Sequence, residues 1–242
     1  MPRHLRVCVV SSFLAASLAL ALALPAAALA EPPDARKHPD FDARWAAIRA
    51  VGVVAPDLKI VELTAGDTPV FRPDWTEQGK EAVTSALEAA LREHGVEPVR
   101  FTPSTDEEKA ELVEVQALYE QVVSGVLQAT YANQFPAKVA RFEYGLGDLS
   151  RLLERQHLDA LVFTYGTGAA SSGSRKAVQM LSALVVGRYS VAVDRLFVGV
   201  VDRRGDLLWF AVRADTRSDL RDKGSAGKFV HEVSGGLPAP HA

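Results

Sequence analysis

Two strand patterns near the carboxyl end restrict the fold of this chain more than any other feature. Residues 191–202 and 206–214 are rich in β-branched and aromatic side chains, and Arg203-Arg204-Gly205 between them is typical of a tight turn. The two strands of such a hairpin are antiparallel. A sheet that contains them therefore cannot be wholly parallel.

The rest of the chain alternates between strand and helix patterns. The predicted strands are 51–55, 58–63, 96–101 and 160–165; the predicted helices are 41–50, 75–94, 105–134, 148–156, 175–187 and one that begins near 216; and 65–73 is a predicted loop. This order predicts an α/β fold in which a mixed β-sheet is flanked by helices and closes with the antiparallel hairpin. We expect a single α/β domain over residues 50–234.

Capping residues mark several predicted helix boundaries. Asp74, with Glu77 three residues later, is typical of a helix start, and Thr105 before three acidic residues is typical of another. Gly95 is expected to end the first of these helices and Pro136 the second.

The first 30 residues predict export. A short basic start precedes an apolar run over residues 7–24, Pro25 follows, and Ala28-Leu29-Ala30 has the small residues that signal peptidase accepts. A membrane-spanning helix needs about 20 uninterrupted apolar residues, so a retained anchor is the less favoured alternative. Residues 1–30 are therefore predicted to be a cleavable signal peptide. The mature chain would be periplasmic or secreted, with no stable membrane anchor.

Removal of the signal peptide changes the composition of what remains. Cys8 is the only cysteine, so the mature chain is predicted to have no disulfide, no thiolate and no lipid-attachment cysteine. Arg3 and Arg6 are the only charged side chains removed, which leaves 25 of the 27 basic and all 30 acidic residues. A mildly acidic chain is a poor partner for nucleic acid. Residues 31–49 are predicted to form a polar tether and a short helix, and residues 235–242 a disordered tail.

A stretch rich in glycine and serine, residues 166–174, joins a predicted strand to a predicted helix. Backbone amides at such a junction can bind an anion. Its candidate binding residues are Gly166, Gly168, Ser171, Ser172, Gly173, Ser174 and Arg175. Ser174 and Arg175 replace the Lys and Ser/Thr of a Walker loop, and Ser171 replaces the third glycine of a dinucleotide fingerprint. A flexible connector is the favoured interpretation and a binding loop the alternative.

No complete catalytic or metal-binding motif accompanies this stretch of sequence. Ala170 and Ser174 replace the glycines that bracket the serine of a hydrolase nucleophile elbow. The histidines lack metal-ligand spacing, and His94 and His157 are predicted to lie at helix ends. We therefore expect no metal and no cofactor, and we assign no catalytic residue.

One longer pattern resembles a known family. The strand Asp159-Ala-Leu-Val-Phe-Thr-Tyr165 precedes small residues and a helix through Arg175. A second strand, ending in Val200-Val-Asp202, turns into Gly205-Asp-Leu-Leu-Trp209. This order is similar to that of exported bacterial envelope proteins such as the curli-export lipoprotein and the amino-terminal domain of TolB. The resemblance covers most of residues 50–215.

The resemblance implies a mixed sheet flanked by helices and a role in envelope assembly or export through protein contacts. Many members of that family are lipoproteins, whereas this chain has no cysteine after its apolar run. The expected function is therefore that of a non-enzymatic envelope protein whose partner is another envelope protein or a second copy. The alternative is a periplasmic hydrolase or small-anion binding protein that uses residues 166–174. Independently of the family, Trp209 is expected to bury its ring against the helices.

Overall fold

A computed structural model of the protein describes residues 35–64, 68–171 and 192–239. The predicted signal peptide 1–30 and the predicted helix 175–187 lie outside these ranges.

The described residues contain one mixed β-sheet. Its strands are β1 (Arg36–Lys37), β2 (Ala50–Val53), β3 (Asp57–Leu63), β4 (Pro69–Phe71), β5 (Glu97–Arg100), β6 (Ala160–Ser171), β7 (Asp194–Asp202) and β8 (Leu207–Asp215). The main order across the sheet is β1-β8-β7-β6-β2-β5, and β3 and β4 extend from the second half of β6. Strands β2, β3, β5 and β6 pair in parallel, whereas β7, β8, β1 and β4 pair with their neighbours in the antiparallel sense.

Helices lie between and after these strands. They are α1 (Phe41–Trp45), α2 (Pro73–Glu93), α3 (Asp106–Val126), a π-helix (Leu127–Ala132), α4 (Pro136–Ala140), α5 (Ser150–Glu154) and α6 (Lys223–Ser234). The predicted α/β fold, with its mixed sheet and closing hairpin, is confirmed. In the described ranges no helix is both long enough and apolar enough to cross a bilayer.

Two apolar clusters cover the two faces of the sheet. Successive residues of β6 alternate between them, because Ala160 and Val162 belong to the cluster that includes α1, α2 and α6, and Leu161 and Phe163 to the cluster that includes α3 and α5. This alternation is the period of two that a strand imposes on its side chains. The strand 160–165 reads as continuously apolar because both of its faces are buried.

Two short strands were not predicted. Arg36 and Lys37 pair with Phe210 and Trp209 of β8, so the predicted polar tether 31–49 contains a strand of the sheet. The predicted loop 65–73 contains β4, which pairs with β3. Strands of two and three residues are too short to carry a periodic pattern, and it is tertiary pairing that forms them.

The predicted caps are correct at some helix ends and wrong at others. The Thr105 hydroxyl accepts from the Glu108 amide at the start of α3, as predicted, and Gly95 follows α2 with φ of 76°. Asp74 does not cap α2, which begins at Pro73, because its carboxylate accepts two hydrogen bonds from the Arg72 guanidinium.

Two predicted helices have different lengths in the structure. The predicted helix 41–50 is only Phe41–Trp45, since Ala50 already pairs in β2. The predicted helix 105–134 ends its α-helical part at Val126, and the π-helix follows. Pro136 begins α4, where its missing amide costs nothing.

The carboxyl-terminal segment also differs from the prediction. Helix α6 begins at Lys223, where the Asp222 side chain accepts from the Ser225 amide, rather than near residue 216. Beyond the helix, Leu237 is buried and the Pro238 carbonyl accepts a hydrogen bond of 2.7 Å from the Trp45 indole. Within the described part of the predicted disordered tail, residues 235–239, Leu237 is therefore anchored in the core, while its neighbours are exposed.

Candidate functional site

The glycine- and serine-rich stretch is not a loop over its first six residues. Gly166, Gly168 and Ser171 belong to β6, where residues 165–171 pair with β3 in parallel. The prediction of a loop is therefore wrong for residues 166–171. Ser172, Gly173, Ser174 and Arg175, the other candidate binding residues, lie outside the described residues.

Close packing explains the two glycines of β6. A Cβ atom at Gly166 would lie 2.6 Å from the Arg195 carbonyl oxygen and 2.7 Å from the Leu58 side chain. At Gly168 it would lie 3.1 Å from Ile60 and 3.2 Å from the Asp194 carboxylate. Small residues are needed here because neighbouring strands and side chains approach the backbone, as is common for glycine inside a strand.

Asp194, the first residue of β7, places a buried carboxylate beside the second half of β6. Its Oδ1 accepts from the Ala169 amide at 3.0 Å, and its Oδ2 accepts from the Ser218 hydroxyl at 3.1 Å. The residue is only 3% exposed. It therefore connects three parts of the chain: β6, the start of β7 and the segment 216–222 that follows β8. We call this the Asp194 junction.

The surroundings of Asp194 disfavour its charged form. Burial raises the pKa of this carboxyl to about 6, and the negative charge of Asp219 acts in the same direction. Hydrogen bonds from the Ala169 amide, the Ser218 hydroxyl and the Leu220 amide lower the pKa, but by less than burial raises it. In the described part of the chain Asp194 forms no ion pair, since Arg221 pairs instead with Asp219.

The sequence prediction missed Asp194 as a site residue. Asp194 lies in the predicted strand 191–202, most of whose residues are apolar. An acid at such a position is costly to bury, and this cost is the sequence feature that indicates a specific role.

A cluster of two arginines on one tryptophan ring involves the segment 216–222. Two guanidinium groups lie over the Trp75 ring, that of Arg72 at 4.3 Å and that of Arg221 at 4.0 Å from its centroid. Arg72 also pairs with Glu62 and Asp74. Because carboxylates already pair with both guanidinium groups, this cluster ties segment 216–222 to the start of α2 and does not form a free anion site.

The turn between β7 and β8 forms a second polar network. The Asp202 Oδ1 accepts from the amides of Arg204 and Asp206, and the Arg44 guanidinium of α1 pairs with the carboxylates of Asp202 and Asp206. Gly205 has φ of 80°. The tight turn predicted at Arg203-Arg204-Gly205 is confirmed, and the structure adds the contacts of Asp202.

An open groove lies after β5, at the carboxyl end of a parallel strand, where α/β proteins commonly bind ligands. It has a volume of about 830 Å³, and its lining includes Ser104, Asp106, Glu107, Lys109 and Gln116. The first turn of α3 carries three acids, which occupy the end of the helix that would otherwise attract an anion. The groove therefore does not favour an anionic ligand.

His94 and His157 lie at helix ends, as predicted, and burial affects the pKa of His94. His94 follows α2, and burial lowers the pKa of its imidazole instead of the helix end raising it. His157 follows α5 with φ of 54°. Within the described ranges no group of three or more His, Cys, Asp or Glu could hold a metal ion.

No protein-family model matches this chain, and no curated protein matches it either.

Proposed function

We propose that this chain is an exported protein of the bacterial envelope that acts without catalysis, through contacts with another envelope protein or with a second copy. The observation that carries the location is the basic, apolar and small-residue order of residues 1–30. The resemblance of residues 50–215 to envelope assembly and export proteins supports the role.

Strand addition at the edges formed by β5 and β4 is a poor route for these contacts. The amides of Glu97 and Phe101 donate towards β2. Because backbone groups alternate along a strand, the backbone of position 98 faces the open side of β5. Pro98 has no amide to donate there. The Arg72 amide, just after β4, donates to β3, so positions 69 and 71 of β4 face away from β3, and Pro69 has no amide to offer there. Proline at open edges prevents pairing with further strands.

Side-chain surfaces are the better route, and one stands out. All of residues 132–141 are exposed, and we call them the Phe135 segment. Phe135 is 53% exposed, and the Val139 amide donates to its carbonyl, so the two apolar side chains lie one helical turn apart. A neighbouring apolar pair held in water gains free energy when a partner covers it, at about 25 cal/mol per Å².

The hydrolase or anion-binding alternative has less support. Its glycines Gly166 and Gly168 are accounted for by close packing, and residues 165–171 pair in a sheet. It is tested by replacing Ser171, Ser172 and Ser174 together with alanine. Loss of a measured hydrolytic activity or of anion binding, with the melting temperature unchanged, would replace the proposal.

Two experiments test the proposal itself. Cell fractionation and amino-terminal sequencing should find the protein outside the cytoplasm and beginning at Glu31. A photo-crosslinking amino acid at position 135 should then give a discrete adduct with an envelope protein or a second copy. The matched control is the same amino acid at Glu114, which is exposed on α3. Cytoplasmic protein, or adducts that are the same at both positions, would overturn the proposal.

A further inference from the structure

We propose that the Asp194 junction is an acid-sensitive contact: it is tighter in mildly acidic solution than at neutral pH, because a buried carboxylate loosens it once the proton is lost. This inference does not depend on the proposed function.

The geometry makes Asp194 part of the sheet. The ladder between β6 and β7 runs from Ala160 paired with Asp202 to Thr167 paired with Arg195. Beyond that point the next β6 amide on this side, that of Ala169, donates to the Asp194 side chain at 3.0 Å. The carboxylate therefore ends the ladder where β7 begins, and any change in its charge acts directly on the contact between the two strands.

The same side chain also attaches the segment after β8. The Ser218 hydroxyl donates to Oδ2 at 3.1 Å, while Leu220 of the same segment is buried in the core and its carbonyl lies near Gly79 of α2. The charged groups of this segment that act on the carboxyl are Asp219 and Arg221. Arg221 is paired with Asp219 and stacked on Trp75, so it provides no direct partner for Asp194.

From β6 the Ala169 amide and the backbone at Gly168 approach the carboxyl, and the Ile60 side chain of β3 lies beside Gly168 as well. Among the described residues the donors to the carboxylate are all neutral: the Ala169 amide, the Ser218 hydroxyl and the Leu220 amide. A buried charge without a charged partner is costly, and neutral hydrogen bonds offset only part of that cost.

Protonation removes the charge and can keep the hydrogen bonds with Ala169 and Ser218. A protonated carboxyl retains an oxygen that accepts from the Ala169 amide, and its new O–H can donate to Ser218, because a hydroxyl oxygen both donates and accepts. Burial raises the pKa to about 6, whereas an exposed carboxyl at this position would have its ordinary value of 3.8. The closed junction therefore binds the proton more strongly than the open one. The stabilisation is fully present below pH 3.8 and is lost as the pH rises through about 6.

Hydrogen exchange on the full-length chain tests this. After correction for intrinsic exchange, the opening constant of the peptide that covers residues 166–171 should be about tenfold larger at pH 7 than at pH 5, as linkage to one proton requires. In Asp194→Asn the opening constant should be the same at both pH values. Asp215→Asn is the matched control, because Asp215 pairs directly opposite Asp194 on β8. It should behave as the wild type does.

Ser218→Ala keeps the proposal testable if Asp194→Asn does not fold. Loss of a donor to the carboxylate should move the midpoint of the pH response upward, because that donor stabilises the charged form. A wild-type opening constant that is independent of pH between 5 and 7, a response retained in Asp194→Asn, or an unmoved midpoint in Ser218→Ala would each overturn the proposal.

Discussion

At the residue scale, Trp209 is the largest buried side chain of the closing hairpin, with 0% exposure. Replacing it with alanine leaves a cavity among α1, α2 and α6, so Trp209→Ala should lower the free energy of unfolding by about 3–5 kcal/mol. Trp209→Phe should cost less than about 2 kcal/mol, because the indole N–H has no partner among the described residues and its loss leaves no unmet donor. Urea unfolding measures both variants, and equal costs would contradict this prediction.

Gly205 is the other residue of the hairpin whose identity the backbone decides. Its φ of 80° is strained for any other residue, and an added Cβ would overlap the Gly147 carbonyl. Gly205→Ala should therefore destabilise the protein by at least about 2 kcal/mol.

Gly125 is the control, since it is exposed in α3 with nothing within 4 Å of an added Cβ. Gly125→Ala should stabilise the helix by about 0.5–1 kcal/mol in the same denaturant titration. Destabilisation by both variants would mean that backbone conformation is not the cause.

At the scale of elements, a proline at the β5 edge limits strand pairing between copies of the chain. Pro98 is the outward-facing residue of β5 that lacks an amide, and its side chain is buried. Pro98→Val keeps a similar apolar volume and adds a donor next to that of Arg100, so it should increase strand-mediated self-association. Sedimentation velocity over a concentration series should show a larger average mass for this variant than for the wild type.

The control for that prediction is Pro103→Val, since Pro103 lies in the loop after β5 and not at a strand edge. It should sediment as the wild type does. If Pro98→Val also matches the wild type, the prolines are not what limits strand addition.

At the scale of the whole molecule, the fold was predictable where periodicity is long enough. The strand 160–165 and the hairpin around Gly205 were correctly predicted because burial on both faces and a turn with φ of 80° leave clear local patterns. Strands β1 and β4 could not be predicted, because distant pairing forms them. The candidate site was mispredicted for a related reason: glycine in sequence does not distinguish a flexible loop from a strand that packs closely, and only the positions of Leu58 and Arg195 decide between them.

The carboxyl groups of the whole molecule should give its stability a maximum in mildly acidic solution. The backbone amide of Ser104 and the Arg155 guanidinium lower the pKa of Glu108, and Arg100 lowers that of Glu81. Groups with a lowered pKa stabilise the fold above their unfolded value, near 4.5, and lose that contribution as the pH falls. Asp194 acts in the opposite direction, since its pKa is raised to about 6. The lowered pKa of His94 opposes Asp194 between pH 7 and pH 5, because the buried imidazole resists protonation, but the shift at Asp194 is the larger of the two. The melting temperature should therefore rise from pH 7 to about pH 5 and fall below about pH 4.

Glu108→Gln separates the two limbs of this pH profile. The glutamine keeps the shape of the side chain but cannot carry the charge that pairs with Arg155 at 2.7 Å. The melting temperature of Glu108→Gln should be lower than that of the wild type at pH 7 and should fall less steeply below pH 4, while the rise from pH 7 to pH 5 remains. Glu114→Gln, on the exposed surface of α3, should leave both limbs unchanged. A wild-type melting temperature that falls steadily from pH 7 downward would mean that carboxylates stabilised in the native state outweigh Asp194 throughout this range.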